Sequence, residues 1–94
     1  MIQSFADRDT KQLFDTEANR RFSAIARVAL RKLIQMNRVR VLHDLTVPPG
    51  NRLEPMLGRF SGFHSIRVND QWRIILRRTE AGPADVAIVD YTTI

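Results

Sequence analysis

The chain has 94 residues, which suits one domain with one modest core, so residues 1–94 are expected to form a single domain. It has no cysteine and two isolated histidines, His43 and His64, which excludes disulfides and thiolate metal sites, and we expect no metal or other cofactor. No segment reaches the roughly 20 apolar residues of a membrane span, and the acidic start lacks a signal-peptide pattern, so a cytoplasmic protein without a membrane partner is expected.

Arginine dominates the charge of this chain. The formal net charge is +5, and thirteen of the fifteen basic residues are arginine. Positions 52 to 78 contain six arginines against Glu54 and Asp70, and they contribute +4 of that net charge. Because the guanidinium group grips phosphate bidentately, nucleic acid is the leading partner, ahead of an anionic membrane or an acidic protein. A genomic bias toward arginine explains the overall ratio equally well, so position along the chain must decide.

The first half of the chain predicts two helices. "IQSF" is a candidate first strand, and "DRDTKQLFD" is typical of a short helix capped near Asp9 or Thr10. From Ala18 to about Met36, apolar residues recur at three- and four-residue spacing, which indicates one helical face. The opposite side of this helix is basic, and it is either a solvated face or a binding surface. Its basic residues are Arg20, Arg21, Arg27, Arg31 and Lys32.

The second half of the chain predicts an antiparallel sheet. "VRVLHDL" extends helical structure by a turn or two before the loop "TVPPGN". Strands follow around "LEPML", "FHSIRV", "WRIILRRT" and "DVAIVDY", and the turns between them are short enough for hairpins and too short for helical crossovers. The expected fold is therefore α+β, with two layers and a mainly antiparallel sheet.

Alternation along the strands separates an apolar sheet face from an arginine face. Ile66, Val68, Trp72, Ile74 and Leu76 share one face, which should cover the helices. The other face gathers Arg67, Arg73 and Arg77, with Ser65 beside them. In the last strand Ala87, Val89 and Tyr91 alternate with Val86, Ile88 and Asp90. The arginine face is either a solvated outer surface or a site that binds an anion.

The segments "PPGNRLEPMLG", "GFHSIRVNDQWRI" and the final "VDY" resemble the HigB-type toxins of the RelE/ParE toxin–antitoxin superfamily, over essentially the whole chain. The resemblance implies a RelE-like fold, a curved sheet with two helices on one side. It also implies a toxin that enters the ribosomal A site and cuts translated mRNA without a metal, by attack of the ribose 2′-hydroxyl on the adjacent phosphate. Its implied partners are the ribosome with mRNA and a HigA-like helix-turn-helix antitoxin, through which alone the toxin meets promoter DNA.

The resemblance also assigns residues. Arg73 matches the family arginine that contacts the scissile phosphate, and Asp90 and Tyr91 match the "DY" that aligns or deprotonates the nucleophile. RNA and ribosome contacts are expected from Arg52, Arg59, His64, Arg67 and Arg77, although alternation puts His64 on the Ile66 face. The antitoxin is expected on the outer helix face, at Arg20, Arg27 and Arg31.

Two positions depart from the family pattern. Thr92 follows Tyr91 where many members have histidine, and Glu54 precedes Pro55 where several have histidine. Glu54 can act as a base, but its low proton affinity makes it a poor one. These departures leave two alternatives open: a non-enzymatic inhibitor of a protein target such as DNA gyrase, as for ParE-type relatives, and a weakly active or decayed toxin.

Overall fold

Two helices and a four-stranded sheet make up the fold. The computed structural model describes all 94 residues, Met1–Ile94. The helices are α1 (Arg8–Thr16) and α2 (Ala26–Arg38), and the strands are β1 (Glu54–Pro55), β2 (Phe63–Arg67), β3 (Trp72–Thr79) and β4 (Gly82–Asp90). The sheet has the order β1-β2-β3-β4, and every neighbouring pair is antiparallel. This confirms the α+β class and the antiparallel sheet expected from the sequence.

Helix α1 begins two residues earlier than the sequence pattern suggested. Asp7, and not Asp9 or Thr10, is the N-cap, and its carboxylate accepts a hydrogen bond from the Thr10 backbone N–H at 2.7 Å. Thr10 is instead buried, and its hydroxyl accepts a hydrogen bond from the backbone N–H of Ile88 in β4 at 3.0 Å. The candidate cap therefore ties the helix to the sheet.

Helix α2 begins at Ala26, so the predicted start at Ala18 is wrong. Residues 20–25 form turns in which the Ile25 N–H donates to the carbonyl of Phe22 at 3.0 Å. The Asn19 side chain accepts the Phe22 backbone N–H at 3.3 Å, and such a local bond competes with helix formation. Phe22 and Ile25 are still buried, which explains why the apolar spacing continued through the turns. Neither helix has the length and apolar character needed to cross a membrane.

Two predicted strands are much shorter in the structure. The "IQSF" segment makes a single parallel bridge, Phe5 to Val86, flanked by a bond from the Ala6 N–H to the Val86 carbonyl at 2.9 Å. Within "LEPML" only Glu54 and Pro55 are strand, although the Met56 N–H beyond them still donates to the Phe63 carbonyl at 2.8 Å. The extra helical structure predicted in "VRVLHDL" is a 3-10 helix at Leu42–Thr46, and two more 3-10 turns occupy Pro49–Asn51 and Gly58–Phe60.

The hydrophobic core lies between the helices and one face of the sheet. It joins Leu13 of α1 and Leu33 of α2 to strand residues that alternate along β2, β3 and β4. Trp72 is half-buried at its edge, where its ring meets Phe22 edge-on at a centroid distance of 5.5 Å. The core residues on this face are Ile66, Ile74, Leu76, Val86 and Ile88 in the strands, and Val68 directly after β2. The predicted apolar sheet face is thus confirmed, and the opposite face is left for Arg73.

Candidate active site

Arg73 is the centre of the arginine face. It lies on β3, and only 6% of its side chain is exposed. Its Nε donates to the Ser65 hydroxyl at 2.8 Å, and its Nη2 donates to the Arg52 carbonyl at 2.7 Å. The Nη1 nitrogen makes no hydrogen bond within the chain. Since a guanidinium carries five N–H donors in one rigid plane, its orientation is fixed while the Nη1 donors remain available to an anion.

The sheet register explains why Arg73 has these partners. Arg73 pairs with Arg67 on β2, so Ser65 lies diagonally across from it on the same face, within reach of a long side chain. Arg52 adopts a left-handed conformation, with φ of 47°, two residues before β1. Its carbonyl can therefore accept the Arg73 Nη2 donor. The Ser65 hydroxyl and the Arg52 carbonyl therefore hold the guanidinium in place.

Glu54 and Tyr91 complete the site. The Glu54 carboxylate lies 3.6 Å from the Arg73 Nη2, and it accepts a hydrogen bond from the Tyr91 hydroxyl at 3.3 Å. The guanidinium carbon of Arg73 is 5.2 Å from the centre of the Tyr91 ring, a distance suited to a cation–π contact. The guanidinium, the carboxylate and the phenol thus meet at one point on the sheet surface.

A cleft of about 470 Å³ opens beside this point. Glu54 and Tyr91 form part of its wall, so the cleft and the Arg73 site are continuous. The remaining lining residues are apolar apart from their backbone: Pro55, Met56, Leu57, Phe60 and Ile94.

Asp90 lies on the opposite face from Arg73. It pairs with Trp72 across the sheet, whereas Arg73 pairs with Val89. Its carboxylate accepts hydrogen bonds from the Gln71 side chain at 3.0 Å and from the Thr92 hydroxyl at 2.6 Å. The hydrogen bond from Thr92, followed by that from Gln71, lowers the pKa of Asp90 below its ordinary value. Asp90 is therefore an ionised anchor for the residues after β4, and the structure does not bring it to Arg73.

The other arginines of this face are engaged at its margins. Arg67 pairs with Asp70 at 2.6 Å, and Arg77 pairs with Asp85 at 2.9 Å. Asp85 has φ of 51° and is the extra residue of a bulge between β3 and β4. Exposed Arg59 places its guanidinium carbon 5.2 Å from the Phe60 ring centre. Alternation put Arg67, Arg73 and Arg77 on one face, and of these only Arg73, the arginine to which the resemblance assigned the catalytic role, is buried.

His64 lies on the helix side of the sheet, as alternation predicted. It pairs with Leu76, a core residue, and it is half-buried. Its Nδ1 atom is buried and makes no hydrogen bond. The structure therefore separates His64 from the Arg73 site. No group of three or more histidine, cysteine, aspartate or glutamate side chains is placed to hold a metal ion.

The outer surface of the helices carries a second basic region. Arg20, Arg27 and Arg31 are exposed, and Arg31 borders a shallow cavity of about 500 Å³ that also contains Ile34 and Arg38. Ile34 is exposed although it is a large apolar residue. This region lies on the helix layer, so the sheet separates it from the Arg73 site.

Sequence reasoning missed the parts of the site that depend on distant contacts. Ser65 was placed on the correct face but was given no role. The sequence feature that could have revealed its role is a small polar residue on the same face as Arg67 and Arg73. Glu54 was considered only as a weak base, yet it bridges Arg73 and Tyr91. The cleft residues Leu57 and Phe60 gave no signal, because a short turn of mixed composition has no periodicity.

Comparison with known proteins gives the family. The family model of the RelE-like toxin of the type II toxin–antitoxin system HigB matches residues 3–92. Toxin HigB-1 of Vibrio cholerae serotype O1 is 35% identical over 79 residues, which cover 82% of this chain and 83% of that protein.

Solved structures show the same fold at low sequence identity. A point mutant of YafQ from Escherichia coli has a TM-score of 0.61 and 15% identity, covering 99% of this chain and 94% of that one. YafQ in the Escherichia coli DinJ–YafQ toxin–antitoxin complex has a TM-score of 0.58 and 14% identity, covering 100% and 94%. The architecture is thus RelE-like, and the chain belongs to the HigB-like toxins of type II toxin–antitoxin systems.

Proposed function

We propose that this toxin is a metal-independent endoribonuclease that cuts translated mRNA in the ribosomal A site. The ribose 2′-oxygen attacks the adjacent phosphorus and loses its proton, while the bond from phosphorus to the 5′-oxygen breaks. That 5′-oxygen takes up a proton, so the products carry a 2′,3′-cyclic phosphate and a 5′-hydroxyl. The nucleophile belongs to the RNA, so the protein has to supply charge, proton transfer and orientation. The need for a ribosome places this activity in the cytoplasm.

The observation that carries the proposal is the fixed guanidinium of Arg73 with its two unused Nη1 donors. Nε and Nη2 are held by Ser65 and Arg52, so the donors need no reorganisation when negative charge develops on the phosphate. Preorganised donors of this kind contribute about 10²- to 10³-fold to the rate in enzymes where one donor has been removed. Free surface arginines would first have to be ordered.

Tyr91 and Glu54 are the groups within reach for proton transfer. Their hydrogen bond places a phenol and a carboxylate beside the guanidinium, and neither position holds an imidazole. We assign them the alignment of the 2′-hydroxyl and the acceptance of its proton. Asp90 receives a positioning role, because its hydrogen bonds with Gln71 and Thr92 fix the backbone on which Tyr91 stands. This accounts for the "DY" pair without a direct contact from Asp90 to the phosphate.

The ribosome is proposed to supply the remaining orientation. Holding the 2′-oxygen in line with the leaving 5′-oxygen is worth up to about 7–11 kcal/mol. Basic residues around the site, all exposed except the half-buried Arg67, are available to hold the RNA and ribosomal phosphates, and their ion pairs are easily exchanged. They are Arg52, Arg59, Arg67 and Arg77. His64 lies on the other face and is left out of this surface.

Mapping mRNA 5′ ends after induction tests the proposal. We expect new cuts in translated messages, reproduced in vitro on programmed ribosomes and absent or much weaker on free RNA. DNA-damage signalling without cuts would instead indicate an inhibitor of a gyrase-like target, an alternative suggested by the absence of imidazole at the site. Neither cuts nor growth arrest would indicate a decayed toxin.

The antitoxin is proposed to bind the outer face of α2 and the turns before it, where Arg20 lies. DinJ–YafQ shows that a fold relative forms a complex with its antitoxin. Here the exposed Ile34 offers an apolar anchor beside Arg31 and Arg38, with Asp44 as the single acidic residue of the same cavity. The excess of arginine suits an acidic, amphipathic segment of a helix-turn-helix antitoxin. Promoter DNA is reached only through that antitoxin. The docking residues are Arg20, Arg27 and Arg31.

Charge reversal tests this surface. Arg27→Glu with Arg31→Glu should weaken the toxin–antitoxin complex at least 10-fold in titrations without lowering cleavage. Arg8→Glu with Arg78→Glu makes the same change in net charge at exposed positions elsewhere and should leave binding unchanged. If both double variants bind the antitoxin with equal affinity, the interface lies elsewhere than on α2.

A further inference from the structure

One buried cation on the helix side has no carboxylate beside it. Lys32 of α2 is 9% exposed, and its ammonium group makes no ion pair. Its one hydrogen bond runs to the side chain of Asn51, which is fully buried in the 3-10 turn at Pro49–Asn51. Burying a charge without an opposite charge is costly, so packing alone does not account for a lysine at this position.

The side-chain amide of Asn51 is held on both of its polar atoms. An ammonium group can only donate, so the Asn51 Oδ1 faces Lys32 and the Nδ2 faces acceptors. The Nδ2 donates to the carbonyls of Leu45 at 3.1 Å and Val47 at 3.3 Å, and to the Gln35 Oε1 at 3.3 Å. Because a buried amide in such a network cannot turn without losing several hydrogen bonds, α2 and the loop after it fix the position of Asn51.

The segment that follows Asn51 forms one side of the Arg73 site. The Arg52 carbonyl accepts the Arg73 Nη2 at 2.7 Å, and the Glu54 carboxylate lies 3.6 Å from the same nitrogen. Residues 51–54 therefore connect the helix layer to the arginine face. Arg52 has φ of 47°, and a residue with a side chain keeps this conformation only where the surrounding structure holds it. The direction of its carbonyl thus depends on the residue that anchors it.

We infer that Asn51 is a positioning residue of the active site, held in place by Lys32. It fixes the Arg52 carbonyl, and that carbonyl sets the orientation of the Arg73 guanidinium. The inference rests on the proposed function, in which the guanidinium acts through its fixed Nη1 donors. Both positioning side chains are buried and stay out of contact with the RNA. The ammonium group gives the Asn51 Oδ1 a charge-assisted hydrogen bond, which is stronger than one from a neutral donor.

Two variants and a matched control test the role of Asn51. Lys32→Met removes the ammonium group and leaves no other buried charge unpaired, so this variant is expected to fold. Lys11→Met makes the same change at the only other lysine of the chain, which is exposed on α1. Asn51→Ala removes the anchor itself. Because Asn51 is fully buried, Asn51→Ala is expected to be less stable, and Lys32→Met supplies every measurement if Asn51→Ala does not fold.

Nitrogen NMR of the free toxin measures the guanidinium without any cleavage. The Arg73 signals are identified by their loss in Arg73→Lys, and rotation about the Cζ–Nη2 bond is slow while Nη2 donates to the Arg52 carbonyl. Asn51→Ala should speed this rotation roughly 10-fold, as expected for loss of one charge-assisted hydrogen bond. Lys32→Met should speed it roughly 3-fold, because the Nδ2 contacts of Asn51 remain. Lys11→Met should keep the parent rate.

Single-turnover cleavage on programmed ribosomes supplies the second measurement, at a temperature where each variant is folded. The maximal rate should fall roughly 10- to 100-fold in Asn51→Ala and about 3-fold in Lys32→Met, since a displacement of about 1 Å can cost up to about 10²-fold. The ribosome concentration that gives half of this rate should stay the same, because the exposed basic residues are unchanged. In an Arg73→Lys background neither change should lower the rate further, whereas a loss through stability alone would add.

The outcomes separate the positioning role from the nuclease. Cutting by the parent, with rotation and cleavage unaffected by Lys32→Met and Asn51→Ala, would overturn the inference and leave the nuclease standing. Faster rotation in Lys32→Met, with no cutting even by the parent, would overturn the nuclease and leave the positioning role. A lower cleavage rate with parent-like rotation, fully additive with Arg73→Lys, would show that the lysine and the asparagine do not act through Arg73, and it would overturn the inference.

Discussion

The two faces of the sheet are both buried near β3, but they are buried by different means. Ile74 on the helix side is covered by apolar side chains of the core. Arg73, the preceding residue, is buried among polar groups: it donates hydrogen bonds to Ser65 and Arg52, and the carboxylate of Glu54 lies beside it. Burying an apolar group stabilises the fold, whereas burying a charge is costly even when it is paired. The helix side therefore accounts for stability, and the other side holds a charge in a fixed position.

Phe22→Ala is the largest expected effect and acts on the helix side alone. Phe22 is buried and meets Trp72 edge-on, so its removal should lower the free energy of unfolding by about 3–5 kcal/mol. Urea unfolding measures this loss. The folded fraction should keep the parent's cleavage rate per molecule. A lower rate in fully folded protein would show that the helix side contributes to cleavage as well as to stability.

Arg73→Ala is the matching change on the other face. We expect ribosome-dependent cleavage to fall about 10²- to 10³-fold, because one preorganised donor group is lost. The partners of the buried Arg73 would lose their hydrogen bonds in this variant, so some destabilisation is expected as well.

Arg73→Lys and Ser65→Ala provide controls for Arg73→Ala. Lysine keeps the charge but cannot hold the fork of donors, so Arg73→Lys should remain strongly impaired. Ser65→Ala removes one hydrogen bond and leaves the guanidinium in place, and it should have a smaller effect on the rate. Full activity of folded Arg73→Ala would remove the assigned role.

Changes at the end of β4 should have intermediate effects. Thr92→His adds an imidazole directly after Tyr91 and removes the hydroxyl bonded to Asp90, which keeps its bonds from the Gln71 side chain and the backbone N–H of residue 92. It should raise cleavage roughly 10-fold, the low end of what a positioned acid or base contributes. Tyr91→Phe should lower cleavage, because it removes the hydroxyl bonded to Glu54. Single-turnover rates on programmed ribosomes measure both. No gain from the histidine and no loss from the phenylalanine would leave Arg73 as the sole contributor.

Lys32 is the charged exception on the helix side, and its effect should be the smallest. Its ammonium group donates to the Asn51 side chain. Burial first, and then the charges of Arg31 and Arg67, lower the pKa of Lys32 below 10.5. The unfolded chain therefore holds this proton more tightly, and stability should rise with pH from the lowered folded pKa up to about 10.5. Lys32→Met should lose that rise, as urea unfolding at several alkaline pH values would show.

Periodicity predicted the parts of the molecule that depend on neighbours along the chain. It gave the two faces of β3 correctly, and it separated Asp90 from Tyr91 by alternation, as the structure does. The family motif reads "DY" as one unit, so motif and alternation pointed in different directions for Asp90. Side-chain direction along a strand is set by the backbone, and a motif carries no such information.

The remaining features depend on contacts between distant segments. The start of α2 was misplaced because Asn19 makes a local side-chain bond that spacing does not reveal. The Glu54–Tyr91 contact joins residues 37 positions apart, and it requires the register of all four strands. Single-residue reasoning could propose Arg73 from its neighbours, but it could not find the carboxylate that lies beside it.

The positions of the site residues in the sequence also determine the order in which they leave the ribosome during synthesis. Glu54 leaves the ribosome that makes the chain 37 residues before Tyr91, which is about two to seven seconds at ordinary elongation rates. During that interval the hairpin of β2 and β3 can form from local contacts, but Arg73 has neither the Tyr91 ring nor strand β4 beside it. Until Tyr91 has left the ribosome, the nascent chain therefore lacks a complete Arg73 site.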